Sequence, residues 1–204
     1  MRDRDLTVIK LGGSHAFAPH LKDWIEAAAR QAGRIVVVPG GGPFADAVRA
    51  AQPRMGFDDG AAHRMALLAM EQYGCALASG RKQLSLADSR AAINRALDLK
   101  QVPVWLPTRM VLAADIPASW EVTSDSLSAW LAAKLGARRL LLVKHADASI
   151  GAARVRDLVT RGIVDPAFPR FLRTETPAFM LGPHDHAALA EMSEGNIGAR
   201  IDAC

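Results

Sequence analysis

Short apolar runs alternate with longer stretches of helical periodicity along this chain, and Gly or Pro marks most changes of rhythm. Such alternation predicts α/β units built around a largely parallel sheet. Leu6 to Leu11 and Arg34 to Pro39 read as the first two strands, each running into glycines. Between them Trp24, Ile25, Ala28 and Ala29 share one helical face. Pro43 opens a second helix at a position where a missing N–H costs nothing, with Phe44, Ala47, Val48 and Ala51 as its expected buried stripe. Asp58 or Asp59 caps a long helix to about Tyr73, followed by a weak strand at Cys75 to Ser79, a helix at Asp88 to Leu97 and a strand at Val102 to Leu106. Ser124 to Leu135 reads as a helix ended by Gly136, and Arg139 to Val143 as the most apolar strand. Two broken helical pieces follow, then a strand at Ala178 to Leu181, a helix from His184 to Met192 and an edge strand at Ile197 to Ile201.

Half of the 204 residues are apolar, enough for a sizeable core, although 38 of them are alanine. The length predicts one domain over residues 1–204. No apolar stretch approaches the roughly 18 residues of a membrane helix, and the opening MRDRDLTVIKL alternates charge, so a soluble cytoplasmic protein with no membrane partner is expected. Cys75 and Cys204 form no CxxC or Cys/His spacing, which excludes a disulfide framework and a cysteine-based zinc site. The six histidines show no metal-ligand spacing, and no metal-binding residue is expected. A net charge of +4 invites a nucleic-acid reading that has to be weighed against where the charge sits.

In open parallel sheets ligands bind beyond the carboxyl ends of the strands. Here those ends read Lys10-Leu11-Gly12-Gly13-Ser14, Gly40-Gly41-Gly42-Pro43 and Lys144-His145-Ala146-Asp147, and Thr123-Ser124-Asp125-Ser126 opens a helix. Successive glycines at a strand-to-helix turn let backbone N–H groups face an anion without Cβ obstruction, and the helix start adds partial positive charge. Two such loops one βα unit apart suit a polyphosphate. Lysine is sparing, 6 against 19 arginines, yet Lys10 and Lys144 both occupy strand ends. There a compact ammonium can reach a transferring phosphoryl group. Gly40-x-Gly42-x-x-Ala45 formally fits a dinucleotide fingerprint, but Asp58 and Asp59 end no strand. Neither GxxxxGK[ST] nor GxSxG occurs. His63 stands on a helix apolar nearly all round, where a lone histidine is ordinarily a satisfied core residue.

Val8 to Ser14 and Val36 to Gly42 resemble the two opening motifs of the amino-acid kinase superfamily. Phe44 to Arg49, Ala62 to Ala66, Leu106 to Arg109, Trp120 to Ser128 and Val164 to Pro169 are similar to its branch of [5-(aminomethyl)furan-3-yl]methyl phosphate kinases of methanofuran biosynthesis. The resemblance implies an acetylglutamate kinase-like three-layer αβα sandwich with a mostly parallel sheet. Its N-terminal half, to about residue 120, would hold a small phosphorylated acceptor, and the remainder ATP with Mg²⁺. Lys10, Asp125 and Lys144 would be the catalytic set, with Asp125 orienting the lysines. Gly12, Gly13, Ser14, Lys144 and Asp147 would join Lys10 on the donor, and Gly40, Gly41, Gly42, His63 and Ser124 would hold the acceptor. The implied activity is phosphoryl transfer to a phosphate monoester, and the implied assembly a homo-oligomer.

When the acceptor is itself a phosphate, each pair of unit charges 4 Å apart costs about 4 kcal/mol at an effective dielectric of 20. Lys144 is the expected second cation beside Lys10, with Arg64 and Arg109 as alternatives. Residues 134–173 carry nine basic and three acidic residues, a local +6, leaving 4 − 6 = −2 for the rest. That placement favours a polyphosphate over nucleic acid, with Arg154 and Arg156 expected to assist. The chain departs from the family in the donor half, where His145-Ala146-Asp147-Ala148 replaces an Asp-Val-Asp-Gly type loop. A non-catalytic metabolite-binding relative, and a kinase for another monoester such as UMP, therefore stand beside the furan reading.

Overall fold

The computed structural model describes residues 5–145, 153–190 and 197–202. Asp147 and the rest of its loop lie outside them. Five strands in the first of these segments, two in the second and one in the third form one sheet. They are β1 (Thr7–Leu11), β2 (Ile35–Pro39), β3 (Leu84–Ala87), β4 (Val102–Trp105), β5 (Arg139–Val143), β6 (Ala153–Arg154), β7 (Ala178–Leu181) and β8 (Ala199–Asp202). The order across the sheet is β3-β4-β2-β1-β5-β7-β8-β6, with β1 to β5 and β7 parallel and β8 antiparallel to β7. β1 is the hub, since Lys10 faces Val38 of β2 on one side and Leu142 of β5 on the other.

Alternation along these strands makes two cores and hence three layers. Val8, Val36, Val38, Leu140 and Leu142 face one core, which includes Leu127 and Leu131 of α6 (Ser124–Leu135) and Ile93 and Leu97 of α4 (Arg90–Asp98). Ile9, Leu11, Val37, Leu141 and Val143 face the other, against Trp24 and Ile25 of α1 (Leu21–Arg30) and Leu189 of α9 (His186–Ala190). α3 (Asp59–Ala78) contributes Leu67 and Met70 to the first and Tyr73 and Leu77 to the second. Short α5 (Thr108–Leu112), α7 (Val155–Thr160) and α8 (Phe168–Phe171) complete the helices of the described residues, with α2 below. The expected sandwich is therefore present, and no helix among the described residues is long and apolar enough to cross a membrane.

Several local expectations give way. Cys75 to Ala78 is the last turn of α3, where a weak strand was expected, and a Cβ at Gly74 would stand 3.3 Å from Val104 Cγ1 and 3.4 Å from Pro39 Cγ. That glycine marks close passage of the helix over the sheet, which a sequence pattern cannot tell from a break. In α2 (Gly42–Met55) Val48 alone is buried, and Phe44 is 38% exposed, because this helix leans on α3 rather than on a core. The strand expected at Ile197 to Ile201 is Ala199–Asp202 and lies between β7 and β6, so it is not an edge.

Candidate active site

β1 ends in Lys10 and Leu11, then Gly13–His15 turns as one 3-10 segment, while β2 ends at Pro39, and Gly40 and Gly41 lead into α2. The two glycine-rich turns touch backbone to backbone. A Cβ at Gly13 would overlap the Gly42 nitrogen, one at Gly40 would overlap the Gly13 nitrogen, and Gly42 itself has φ +55°. Side chains at these positions would wedge the turns apart, so glycine is required here by space and, at Gly42, also by conformation.

The Lys10 side chain lies on the α6 face of the sheet, as does that of Lys144, just past β5. Both ammonium groups meet Asp125, in the first turn of α6. Lys10 Nζ is 2.9 Å from Asp125 Oδ1, and Lys144 Nζ donates to Oδ2 at 2.6 Å. Burial pushes the Asp125 carboxyl up, but the charges of Lys10 and Lys144 override it and hold the group down to about 2. Lys144 is drawn down to about 8 by burial and by the charge of Lys10, against the pull of Asp125. The centre thus holds two cations on one carboxylate, a surplus of positive charge in a place largely shielded from water.

Asp125 is anchored from a distance. Asp165 Oδ2 accepts from the Thr123 N–H at 3.0 Å, the Thr123 hydroxyl at 2.8 Å and the Ser126 N–H at 3.0 Å, and Asp165 Oδ1 accepts from the Ser126 hydroxyl. A carboxylate at a helix start satisfies orphan N–H groups and complements the helix dipole. Asp165 is thereby a positioning residue for Asp125, and its place some 40 residues downstream left no local signal.

Beside this centre opens a cavity of about 280 Å³. Gly13, Ser14, Gly41 and Gly42 form one wall, α2 and α3 another, and Trp120, Thr123 and Ser124 a third. His63 lines it, buried, with Nε2 lacking any hydrogen-bond partner. Burial lowers its pKa, so at neutral pH the ring is uncharged and can donate or accept. Trp120 Nε1 donates to Gln52 Oε1 at 2.6 Å and the Arg49 guanidinium stands 4.4 Å over the Trp120 ring. Arg49 and Trp120 had no assigned role in the sequence reading; both enter the site through the α2 face left out of the core.

Lys10, Asp125 and Lys144 therefore meet, and Gly13, Ser14, Gly41, Gly42, His63 and Ser124 share one cavity wall system, with Gly12 and Gly40 in its backbone. The alternatives to Lys144 do not join them. Arg64 is exposed, and Arg109 pairs with Asp88 at 3.1 Å on the surface. The basic excess of residues 134–173 does not gather at Lys144 either. Arg138 and Arg139 lie at the opposite end of β5, each 3.5 Å from Asp5, and Arg154 belongs to the outer edge strand, beyond β7 and β8.

A model of the amino acid kinase family matches residues 5–148. The [5-(aminomethyl)furan-3-yl]methyl phosphate kinase of Methanocaldococcus jannaschii is 26% identical over 209 residues, covering 95% of this chain and 96% of that one. In fold, the uridylate kinase of Archaeoglobus fulgidus superposes with a TM-score of 0.72 at 17% identity, over 97% of this chain and all of its own. The UMP kinase of Ureaplasma parvum gives 0.64 at 14%, over 97% and 99%.

Proposed function

Since this chain belongs to the amino acid kinase family, we propose that it transfers a phosphoryl group from MgATP to a small phosphate monoester, [5-(aminomethyl)furan-3-yl]methyl phosphate, giving the diphosphate. The observation that carries the reading is the unpartnered, buried Nε2 of His63, a residue lining a cavity whose wall is the same pair of glycine turns that adjoins Lys10. A core histidine would have its ring nitrogens paired; this one is placed to meet a ligand oxygen. Similarity to the Methanocaldococcus jannaschii enzyme supports the furan acceptor, and the altered loop at Asp147 weighs on the donor side.

The residues present fit a polyphosphate donor. Two converging ammonium groups and two side-chain-free turns offer charge and N–H groups with no Cβ in the way. Bound MgATP supplies the γ-phosphoryl group, with ADP as leaving group. A phosphate monoester is mostly dianionic above its second pKa near 6, so its attacking oxygen needs no general base. Asp125 is accordingly left to hold Lys10 and Lys144 at fixed positions. The lysines offset charge on the transferring group, which is where catalysis of phosphoryl transfer resides. With Asp125 engaged by both lysines, the magnesium ligands would be phosphate oxygens.

Side-by-side assays of MgATP with the furan phosphate, UMP and isopentenyl phosphate, read by phosphorus NMR, test the acceptor. A furan diphosphate and no UDP is expected; a product from UMP alone, or ATP binding with no product from any of the three, refutes the reading. Replacing His63 by Ala should raise the acceptor KM by about 10- to 100-fold with kcat little changed, the worth of one hydrogen bond to a charged group. Equal KM values would remove His63 from the site.

The charge of Lys144 sets a pH limit. Its protonated form is the one that assists, and the free protein loses that proton near pH 8. A profile of kcat/KM should therefore fall above about pH 8, because that ratio reports the free enzyme. In Lys144→Arg the alkaline limb should move beyond pH 10, arginine staying charged. We also propose a homo-oligomer that uses the exposed apolar residues of α2 and α3, Phe44 and Met55 on the first and Met65 and Leu68 on the second. Light scattering giving a monomer mass at micromolar concentration would exclude it.

A further inference from the structure

Five of the six histidines lie in the turns and helices at the carboxyl ends of β1, β5 and β7. His15 follows the first glycine turn, His20 precedes α1, His145 follows Lys144, and His184 and His186 follow β7. The His15 and His145 rings stack with centroids 4.6 Å apart, His15 and His20 meet edge to face at 5.1 Å, and His20 and His145 at 5.5 Å. His184 lies 5.7 Å from His20. His15 and His20 are buried, and His15 Nδ1 is 2.8 Å from His20 Nε2, while His15 Nε2 has no partner.

His15 and Lys10 both approach Gly12, and His145 opens the loop expected on the donor side, so the gathering adjoins the lysine centre; packing alone would be better served there by apolar side chains. Burying imidazoles against one another forfeits their hydration and leaves one nitrogen unmatched. One ring nitrogen from each of His15, His20 and His145 lies within 4.8 Å of the other two. A tetrahedral zinc ion with bonds of about 2.0–2.1 Å sets its ligand nitrogens about 3.4 Å apart. Reaching that spacing from 4.8 Å asks for a shift on the order of 1 Å, and His145 is exposed and able to supply it.

We infer that His15, His20 and His145 form a binding site for a borderline transition-metal ion, Zn²⁺ or its neighbours, with one coordination position open beside His184. The all-imidazole donor set selects such ions over Mg²⁺ and Ca²⁺, which take oxygen ligands. His15 is one residue past Ser14 and His145 one past Lys144, so an ion here ties together the two strand ends that carry the lysines. Nothing in this proposal depends on the kinase reading, because metal binding is measured without substrate.

The test is a Zn²⁺ titration of tag-free, metal-stripped protein against a chromophoric chelator, with Mg²⁺ in millimolar excess. One equivalent is expected to bind, unaffected by Mg²⁺. Single replacement of His145 by Ala, at an exposed position outside both cores, should weaken binding at least about tenfold, and His63→Ala should leave it unchanged. The absence of saturable binding, a smaller loss in His145→Ala, or an equal loss in His63→Ala overturns the assignment. His15→Ala gives the same readout at the buried ligand, with its circular dichroism spectrum recorded to confirm the fold.

Discussion

Asp125→Asn should cost about 3–5 kcal/mol of stability, the range found when one partner of a buried ion pair is removed. For a chain of this length that is a drop in Tm on the order of 10 °C. The physical reason is that one carboxylate serves two cations. Without it Lys10 and Lys144 are left facing each other, both nearly buried, with side-chain exposures of 8% and 12%. Asp125 is also the group that raises the proton affinity of Lys144 against burial. Its loss lowers the Lys144 pKa below the present value of about 8, so at neutral pH part of the population carries an uncharged amine. Phosphoryl transfer should fall at least about 100-fold, and the alkaline limb of the residual kcat/KM should move to lower pH. Calorimetry and a pH profile on the same preparation check both parts. A variant within about 1 kcal/mol of the parent, or one whose pH limb does not move, would mean that the two lysines are held by something other than Asp125.

Gly13→Ala should abolish transfer and destabilise the fold, by a different route. The added methyl overlaps the Gly42 backbone nitrogen and crowds the Gly41 carbonyl carbon at 3.2 Å, and neither atom belongs to a flexible side chain. The two turns must separate, and with them the wall shared by the cavity and the lysine centre. Gly60→Ala is the matched control. Gly60 lies in the first turn of α3, and its added Cβ would meet only Asp58 Oδ1 at 3.3 Å. It should be neutral or stabilising by up to about 1 kcal/mol, the helix cost of glycine. Chemical denaturation and ATP-binding calorimetry of the pair separate close backbone approach from a general intolerance of alanine. Equal behaviour of the two variants would dismiss the turn-to-turn contact as the reason for glycine.

Much of the central fold was legible because its signals are local. The runs Thr7–Leu11, Ile35–Pro39 and Arg139–Val143 are buried throughout, and a strand covered on both faces reads as a near-continuous apolar run, broken here only by Thr7, Lys10 and Arg139. Leu84–Ala87 was missed because it is a four-residue strand at the sheet edge, with Ser85 and Leu86 partly open to solvent. The glycine turns, Lys10, Asp125 and Lys144 were readable because each adjoins the end or start of an element. Residues drawn in from far along the chain were not. Asp165 reaches Thr123 and Ser126 across about 40 residues, and His145 reaches His15 across 130. No spacing rule covers such separations; the parallel topology creates them. His63 shows the converse limit, since its apolar helix alone suggested a satisfied core residue and the family resemblance pointed to a ligand role; its buried Nε2 is unpartnered and the residue lines the cavity.

The position of β1 has a mechanical consequence. It is held in register by parallel ladders on both sides, and Lys10 sits in the fourth of its five rungs. A lysine mounted there cannot advance or retreat along the reaction axis without breaking two ladders together. Any closing motion that brings donor and acceptor into line must therefore come from the periphery, from α2 with its thinly buried face or from the ligands themselves. Lys10 serves as the fixed jaw of the vice, and turnover should be paced by the parts that travel toward it.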